Sequence, residues 1–406
     1  MTETDDITIT PAGADDHDAL VARFEAAMHS TDQPDDNQRA LFEPDRALLA
    51  RDGDTVIGTA LTYGRDLSVP GAIVQAAHVT DVSVAATHRR RGVLTRLMRR
   101  QLTELPESVA ALWASEPGIY GRFGYAMAGR RVRYRADLAR ARPLPVGDLP
   151  GRLREIPAES AAAVLAPILR DHQAHRPGVS GRTHRHWAVT LADPVEQRHG
   201  ATARRIVVHE SADGTPDGYL LWRGRSGWGD TGADSTVVVE ELVAVDRHAY
   251  RSLWNYVLTL DLVTTVIFDF AAVDEPVRHL LGNPRALRPS SVDALWLRLV
   301  NVPAALTQRR YSASADLVLD VVDEFLPANH GRFRFTVDTA TARCVPTTDR
   351  ADVTLPVSVL AAAYLGAVPP TEYAVTGEVR AHTVGAVETL ATAFGWPVAP
   401  GSLEIF

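Results

Sequence analysis

The sequence has 406 residues, of which 46% are hydrophobic and 23% charged, and its formal net charge is −8. This length favours two or three domains over a single core, and the composition is that of a soluble globular protein. The acidic charge argues against a nucleic acid as the main partner, because phosphate binding depends on an excess of basic residues. It is compatible with cationic substrates and equally with simple solubility.

Signals for export and for a membrane span are weak. Residues 257–266 form one of the longest apolar runs, and Asp261 and several threonines interrupt it well before the ~18 apolar residues of a membrane span. The first six residues are acidic and no apolar run follows them, unlike a secretory signal. Cys344 is the only cysteine, so an intrachain disulfide and a cysteine-rich zinc site are impossible. We expect a cytoplasmic protein with neither a membrane nor a nucleic acid as a partner.

Residues 6–137 alternate between strand and helix patterns. Residues 6–11 alternate as a strand, and residues 15–27 place apolar side chains at helical spacing. Two further strand patterns, 46–51 and 55–63, flank an Asp-Gly-Asp turn, which predicts a hairpin. The elements expected next are a strand at 78–84, an amphipathic helix at 92–105, and strands at 108–115 and 131–137. This mixture indicates an α/β domain.

The junction between the strand ending at Val84 and the helix beginning at Gly92 carries the strongest chemical signal. Backbone N–H groups at a helix start have no partner within the helix and favour anions. Gly92 lets the backbone approach a ligand closely, and the guanidinium groups of Arg89 and Arg90 can bind phosphate oxygens. A solvated arginine run is the alternative, but cations there oppose the helix dipole unless an anion offsets them. The junction therefore predicts a pyrophosphate-binding loop.

Three motifs resemble the Eis (enhanced intracellular survival) branch of the GNAT N-acetyltransferases. The first is the string Val-Ser-Val-x-x-x-His-Arg-Arg-Arg-Gly-x-Leu at residues 82–94, and the others span residues 114–125 and 295–303. The first string contains the coenzyme A loop pattern of GNAT enzymes, Arg89-x-x-Gly92-x-Leu94, in which Leu94 replaces the usual glycine or alanine. The resemblance implies an acetyl-CoA-dependent enzyme without a metal, assembled as a homohexamer. It implies an α/β and α+β multidomain chain, with tandem GNAT folds, the second degenerate, and a C-terminal α+β domain like sterol carrier protein.

The domain ranges expected are 1–145, 146–290 and 291–406, with the first break in a segment rich in proline, arginine and glycine. The first would be the catalytic GNAT domain, and the last would supply the C-terminal carboxylate. The middle range contains an echo of the first, because residues 79–94 align with residues 239–254 at a constant shift of 160. We interpret this as a duplicated fold whose second copy lost the cofactor loop; chance similarity is the alternative.

The resemblance also implies roles for individual residues. Tyr120 stands at the position of the general acid that protonates the departing thiolate, and its usual pKa near 10 suits a thiol. The α-carboxylate of Phe406 would be the general base, and the N–H of Val84 would polarise the acetyl carbonyl. The alternatives are a packing role for Tyr120 and a frayed tail at Phe406. The cofactor-binding residues expected are Val82, Ser83, Val84, Arg89, Arg90, Arg91, Gly92, Val93, Leu94 and Ser115.

The acceptor is expected to be an amine-bearing small molecule or peptide, because the family acetylates aminoglycosides, polyamines and protein lysines. We expect polycationic small molecules such as aminoglycosides, with polyamines or protein lysines as the alternative. A sensor that binds acetyl-CoA or lipid is the alternative outside enzymes. The substrate-binding residues expected are Phe24, Met28, Tyr63, Asp81 and Glu404.

Histidines at 172, 175, 184 and 186 form one pattern that suggests a metal. No cysteine joins them, and Pro177 and Gly178 place a flexible loop between the two pairs. Surface histidines are the favoured interpretation, so no metal is expected. The absence of lysine excludes a P-loop and any lysine acting as a catalytic base.

Overall fold

The computed structural model describes residues 7–30, 34, 36–230, 232–338 and 341–406. The chain folds into two compact units. The first unit contains Met1–Ala128, Leu295–Pro397 and Ile405–Phe406, and the second contains Gly129–Ala294 and Val398–Glu404.

The N-terminal part of the first unit is a sheet with helices on its faces. Its elements are β1 Ile7–Pro11, α1 His17–Met28, α2 Asp36–Arg39, β2 Ala47–Asp52, β3 Thr55–Val69, β4 Ala72–Val84, α3 Val93–Glu104, β5 Val109–Trp113, α4 Pro117–Tyr120 and β6 Ala126–Met127. The predicted hairpin is confirmed, since Asp52 pairs with Thr55 across the β2–β3 turn. The predicted strand at 6–11 is found from Ile7 onward, and Asp6 lies outside the described residues.

The second unit repeats this type of architecture. Its elements are β7 Arg130–Asp137, α5 Leu138–Ala141, β8 Arg152–Glu155, α6 Ala158–Gln173, α7 His184–Leu191, β9 Arg205–Glu210, β10 Pro216–Arg225, β11 Trp228–Gly229, β12 Gly232–Ala233, β13 Ser235–Ala244, α8 Arg247–Leu258, β14 Val263–Ala272 and β15 Ser290–Asp293. Among the described residues, its main sheet has the strand order β15-β7-β14-β13-β10-β9-β8.

The rest of the chain returns to the first unit. Its elements are β16 Leu295–Leu299, α9 Val302–Thr307, β17 Ala315–Val322, β18 Gly331–Val337, β19 Ala342–Pro346, β20 Val353–Pro356, α10 Val357–Ala363, α11 Pro370–Val375, β21 Arg380–Ala381 and α12 Ala386–Phe394. In the described ranges, the strands from β17 onward form a second sheet of this unit, in the order β19-β18-β17-β20-β21. The apolar core of this sheet is continuous with that of the N-terminal sheet.

Strand β4 separates from strand β5 near its C-terminal end. The described strands of the N-terminal sheet have the order β1-β2-β3-β4-β5-β16-β6. The parallel pairing of β4 with β5 runs from Ala77 opposite Ala110 to Val79 opposite Leu112. Strand β4 then continues to Val84 while pairing only with β3 on its other side. The divergence leaves a cleft between the ends of β4 and β5, which is a common place for ligands in sheets with parallel strands.

The sheets divide the chain differently from the predicted ranges 1–145, 146–290 and 291–406. Strand β16 lies in the N-terminal sheet between β5 and β6, with Leu297 opposite Ala111 and Ala126. Strand β7 belongs to the sheet of the second unit, where Tyr134 pairs with Phe268. Sequence adjacency does not fix which strands pair, because consecutive elements are spatial neighbours only in about two-thirds of cases. The limits of the domains as independent folding units stay a prediction.

The βα junction of the second unit lacks a long loop. Two residues, Val245 and Asp246, separate β13 from α8, whereas eight separate β4 from α3. The Asp246 carboxylate accepts a 2.6 Å hydrogen bond from the N–H of His248 in the first turn of α8. A carboxylate of the chain thus takes the place that an anionic ligand would take at a helix N-terminus. This agrees with the expectation that the second copy has lost the cofactor loop.

Candidate functional site

A cavity of about 520 Å³ opens where β4 separates from β5, beside the start of α3 and the segment after β5. The lining residues that the sequence predicted are Met28, Val82, Ser83, Val84, Arg89, Arg90, Gly92, Val93, Leu94, Ser115 and Tyr120. His88, the first residue of the cofactor loop expected at His88–Leu94, also lines the cavity. Further lining residues, not predicted, are Ala27, Thr95, Glu116, Ile119 and Arg122. The structure therefore brings the predicted loop, the end of β4 and Tyr120 to one cavity.

The loop before α3 has an unusual backbone. Gly92 caps the helix with φ 77°, a conformation that costs glycine nothing. Arg90 also has a positive φ, 64°, which costs a residue with a side chain roughly 1–2 kcal/mol. The first hydrogen bond of the helix runs from the N–H of Arg96 to the carbonyl of Gly92, so the preceding N–H groups have no acceptor within the helix. Strain at a helix N-terminus beside arginines is the expected form of a phosphate site.

A bulge redirects β4 just before the cavity. The register of β3 and β4 shifts from Leu61 opposite Thr80 to Thr59 opposite Ser83, so Asp81 and Val82 together face Ala60. Asp81 adopts φ 48° at this point. The Thr59 hydroxyl lies 2.6 Å from the Asp81 carbonyl oxygen and 2.7 Å from the Ser83 hydroxyl. Because a bulge bends its strand, it accounts for the departure of β4 from β5.

Tyr120 lies at the end of α4, with only 6% of its surface exposed. Its ring packs edge-on against that of Tyr125, with 5.9 Å between centroids. Burial raises the pKa of the Tyr120 hydroxyl, a hydrogen bond from Ser115 opposes that rise, and the charge of Glu116 adds to it. Tyr120 is therefore protonated at neutral pH, which a hydrogen-bond donor or general acid requires. It takes part both in the apolar core and in the cavity wall.

Phe406, the last residue, packs within the first unit. Its ring lies 4.4 Å from the imidazole of His78, centroid to centroid, at an interplanar angle of 61°. His78 is fully buried on β4, four residues before Val82. The aromatic side chain also contacts the main apolar core of the unit. The side chain of the last residue is thus fixed on the strand whose C-terminal end lines the cavity.

A second group of residues, acidic and aromatic, lies on β3, β4 and α1. Burial raises the pKa of the Asp81 carboxyl to about 6; a hydrogen bond from Thr80 opposes the rise and the charge of Glu25 on α1 adds to it. Burial also raises the pKa of Tyr63, to which the charges of Asp81 and Glu43 contribute. Phe24 lies on the same helix as Glu25 and is partly buried.

Two residues predicted to bind ligands have other partners. The guanidinium of Arg91 lies 3.8 Å from the carboxylate of Asp52 and is not in the cavity wall. Glu404 belongs to the second unit, where it accepts a 2.9 Å hydrogen bond from Nε of Arg182. The Arg182 guanidinium is 2% exposed and also binds Glu241 at 2.7 Å. The charge of Glu404 is therefore paired inside that unit.

The histidine pattern is only partly a surface one, because His175 and His184 are exposed, whereas burial lowers the pKa of His172 to about 4. His186 shares a 2.8 Å hydrogen bond with the Thr183 hydroxyl at the start of α7, and His175 lies 2.7 Å from the carbonyl oxygen of Asp171. Over the described residues, no three His, Cys, Asp or Glu side chains are placed to share a metal ion. In the same part of the chain, no helix combines the length and apolar character needed to cross a bilayer.

The cavity wall has the charge of a site for an anion. Arg89, Arg90 and Arg122 stand on its wall against the single acid Glu116. The divergent edge of β4 offers backbone groups that can pair with an extended ligand. Arg122 is a member of a motif singled out in the sequence, but nothing in its spacing shows that it reaches the same cavity as Val82–Val84.

Family models match almost the whole chain. A model described as an acetyltransferase (GNAT) domain matches residues 8–128, a second GNAT-domain model matches residues 178–299, and a sterol carrier protein domain model matches residues 302–401. The fold expected from the sequence, two GNAT-type modules followed by an α+β domain, is thereby confirmed.

Individual relatives cover the same length. A protein of Streptomyces avermitilis described as an uncharacterized N-acetyltransferase is 38% identical over 95% of both chains. The N-acetyltransferase Eis of Mycobacterium tuberculosis is 32% identical over 88% of both chains. The crystal structure of Eis1 from Mycobacterium abscessus superposes with a TM-score of 0.84 and 33% identity, covering 99% of this chain and 100% of that one.

Proposed function

Because the chain belongs to the Eis family of GNAT N-acetyltransferases, we propose that it transfers acetyl from acetyl-CoA to primary amines of polycationic small molecules such as aminoglycosides. The observation that carries this proposal is the cavity in which the cleft edge of β4, the loop before α3 and Tyr120 meet. Its volume of about 520 Å³ lies within the ~300–1,000 Å³ usual for small-molecule sites.

The residues present fit the donor. Arg89, Arg90 and the N-terminus of α3 would bind its pyrophosphate, since all three present positive charge or free N–H groups. Val82–Val84 would pair with the pantetheine amides as an added strand does. The donor supplies an activated thioester, and these contacts would hold its acyl end at the bend of β4.

Proton transfer would fall to two groups of the chain. Tyr120, buried and protonated, would donate its hydroxyl proton to the departing sulfur. The α-carboxylate of Phe406 would accept the proton that the amine loses; the packing of its side chain against His78 supports a fixed position for this carboxylate. The N–H of Val84 would donate to the acetyl oxygen, where negative charge grows during attack.

The acceptor would bind beside the acidic group on β3, β4 and α1. The charge of Glu25 raises the pKa of Asp81. The charges of Asp81 and Glu43 raise the pKa of Tyr63. A surrounding of this sign attracts cationic substrates over neutral ones. Tyr63, Phe24 and Met28 would supply apolar contact area for the body of the acceptor.

The direct experiment measures release of free thiol from acetyl-CoA with kanamycin, spermine and a neutral monoamine as acceptors. We expect turnover with kanamycin to exceed turnover with the monoamine by at least tenfold in kcat/KM. A preference for spermine would favour the polyamine alternative, and a preference for neutral or acidic amines would contradict a cationic acceptor site.

We also propose that the chain assembles as a homohexamer, as the family resemblance implies. Large apolar side chains that stand exposed on the first unit, Val375 and Val384, are suited to contacts between subunits. Light scattering coupled to size-exclusion chromatography measures the assembly directly; a monomer of 44.1 kDa would contradict it.

A further inference from the structure

The turn that carries Tyr120 lies directly on a buried arginine. It closes through a 3.4 Å hydrogen bond from the N–H of Tyr125 to the carbonyl of Tyr120. Within it, Gly124 has φ 83°, and a Cβ placed there would come within 2.5 Å of Nη1 of Arg298. Arg298, on β16, is fully buried. Its guanidinium therefore fits against backbone that must be glycine, so the positions of the turn and the arginine depend on each other.

Asp323 holds this arginine in place. One carboxylate oxygen accepts a 2.5 Å hydrogen bond from Nη2 of Arg298 and a 3.1 Å bond from the amide of Asn329. The other accepts the N–H groups of Phe325 and Leu326, at 3.1 and 2.9 Å. Both side chains of the ion pair are at most 1% exposed. The loop at 323–329, which follows β17 in the sterol-carrier-like region, thus has the Arg298 charge fixed at its centre.

The same loop contacts helix α3. Nη1 of Arg99 donates a 2.8 Å hydrogen bond to the carbonyl of Phe325, and the guanidinium lies 4.4 Å from the centre of the Phe325 ring. That ring packs edge-on against Phe123 of the Tyr120 turn, at 5.0 Å. One loop therefore touches both the helix that begins at the donor-binding loop and the turn that bears Tyr120.

Stability is a poor explanation for this ion pair. Replacing a buried ion pair with apolar side chains of similar volume is often neutral or stabilising. In addition, Nε and Nη1 of Arg298 and the hydroxyl of Tyr125 find no hydrogen-bond partner among the described residues, although they are buried. Buried donors without partners are unfavourable. The arrangement instead suits a requirement for geometry at the turn.

We propose that Arg298 and Asp323 are positioning residues for Tyr120, fixing the turn at residues 120–125 so that the Tyr120 hydroxyl stays at the cavity. This rests on the proposed function, in which Tyr120 is the general acid. A misplacement of about 1 Å can lower a rate by roughly 100-fold, so a rigid support beneath the turn has a direct effect on turnover. The sterol-carrier-like region, through its loop at 323–329, is then part of the catalytic apparatus.

The test replaces the pair without leaving a buried charge. Arg298→Met combined with Asp323→Asn removes both charges, and the asparagine keeps an oxygen for the N–H groups of Phe325 and Leu326. We expect kcat to fall by roughly 10- to 100-fold, while KM for acetyl-CoA changes by less than about twofold because the donor-binding loop is untouched. In a Tyr120→Phe background the pair replacement should cause no further loss, because both changes remove the same step.

Arg309→Met is the matched control. Arg309 is also a buried arginine of the first unit, but it donates to the carbonyls of Ala363, Tyr364 and Phe394. We expect it to lower the melting temperature and leave kcat within about twofold of wild type, which separates loss of stability from loss of positioning. If the pair variant does not fold, Gly124→Ala disturbs the same contact from the side of the turn and should lower kcat likewise.

Three results would overturn the proposal. A wild-type kcat in the pair variant or in Gly124→Ala excludes a positioning role. A further loss of kcat when the pair is replaced in the Tyr120→Phe background also excludes it. If Tyr120→Phe is slow and the pair variant is normal, only the positioning role fails. If Tyr120→Phe itself turns over at the wild-type rate, the general-acid role fails, and the positioning role fails with it.

Discussion

The phenyl ring of Phe406 meets the imidazole of His78 edge-on, 4.4 Å from centroid to centroid. His78 is completely buried, and it lies on the strand that provides one wall of the cavity. An aromatic side chain held this way restricts the motion of the carboxyl group that follows its Cα, which the proposed function makes the general base. The contact therefore holds the backbone at Phe406 in a defined place.

Adding a short glycine tail after Phe406 keeps the ring contact and removes the carboxylate from its place. We expect kcat to fall by roughly 100-fold or more, the usual contribution of a general base, with little change in the affinity for acetyl-CoA measured by calorimetry. Phe406→Tyr keeps both the ring and the carboxylate and should remain active. Full activity of the extended chain would exclude the terminal carboxylate as the base.

Tyr120→Phe removes one oxygen from the cavity wall and should lower kcat by roughly 100-fold. Since burial raises the pKa of Tyr120, the hydroxyl keeps its proton throughout the neutral range. The wild-type kcat should therefore show no loss of this acid below about pH 10. Tyr311→Phe, which also removes a buried hydroxyl from the first unit, is the control and should retain kcat. A wild-type rate in Tyr120→Phe would assign Tyr120 to packing alone.

Replacing Arg89 and Arg90 by alanine should raise KM for acetyl-CoA by roughly tenfold or more, because each arginine is expected to contribute a charge-assisted contact with phosphate. Added salt should reduce the difference between wild type and variant, as screening predicts. Arg91→Ala is the comparison: since Arg91 lies 3.8 Å from Asp52, we expect a smaller effect on KM. An equal effect would show that Arg91 binds the donor as the family resemblance implies.

Asp81→Asn should change stability and substrate affinity in opposite directions. The folded state holds the Asp81 carboxyl at a pKa of about 6, above the ordinary 3.8, so its ionised form destabilises the fold above pH 6. This difference in pKa corresponds to a change of about 3 kcal/mol at most in the free energy of unfolding. The variant should melt at a higher temperature than wild type at pH 7.5, and the gain should shrink as the pH falls through 6 toward 4.

The same substitution should raise KM for kanamycin, because it removes a negative charge from the acceptor region. Asparagine tolerates the positive φ of residue 81, so the bulge is preserved. A variant that is more stable and binds kanamycin as well as wild type would place the acceptor elsewhere.

Local signals predicted the elements whose residues lie close together in sequence. Helix α3 was expected at 92–105 and is found at Val93–Glu104, because its apolar spacing and the preceding glycine are properties of one short segment. For the same reason the hairpin at Asp52–Thr55 was predicted correctly. The loop before α3, proposed to bind the donor, belongs to this class in its backbone form, since its glycine, arginines and helix start are consecutive.

Contacts between distant segments could not be predicted. The pairing of β16 with β5 joins residues almost 190 positions apart, and the alternation of a strand shows its faces but not its partners. The pairing of Arg182 with Glu404 and the support of the Tyr120 turn by Arg298 have the same origin. In each case the decisive neighbour is brought in by the fold.

The place of β16 has a consequence for synthesis. Strand β5 pairs with β4 on one edge, but its other edge has no partner until Leu295–Leu299 has left the ribosome, about 170 residues after the rest of the N-terminal sheet. At translation rates of ~5–20 residues per second, this delay is roughly 10–35 s. During that time the nascent chain exposes an unpaired hydrophobic edge, the kind of surface that chaperones bind and that aggregates readily. Expression of the first 145 residues alone would make this open edge permanent.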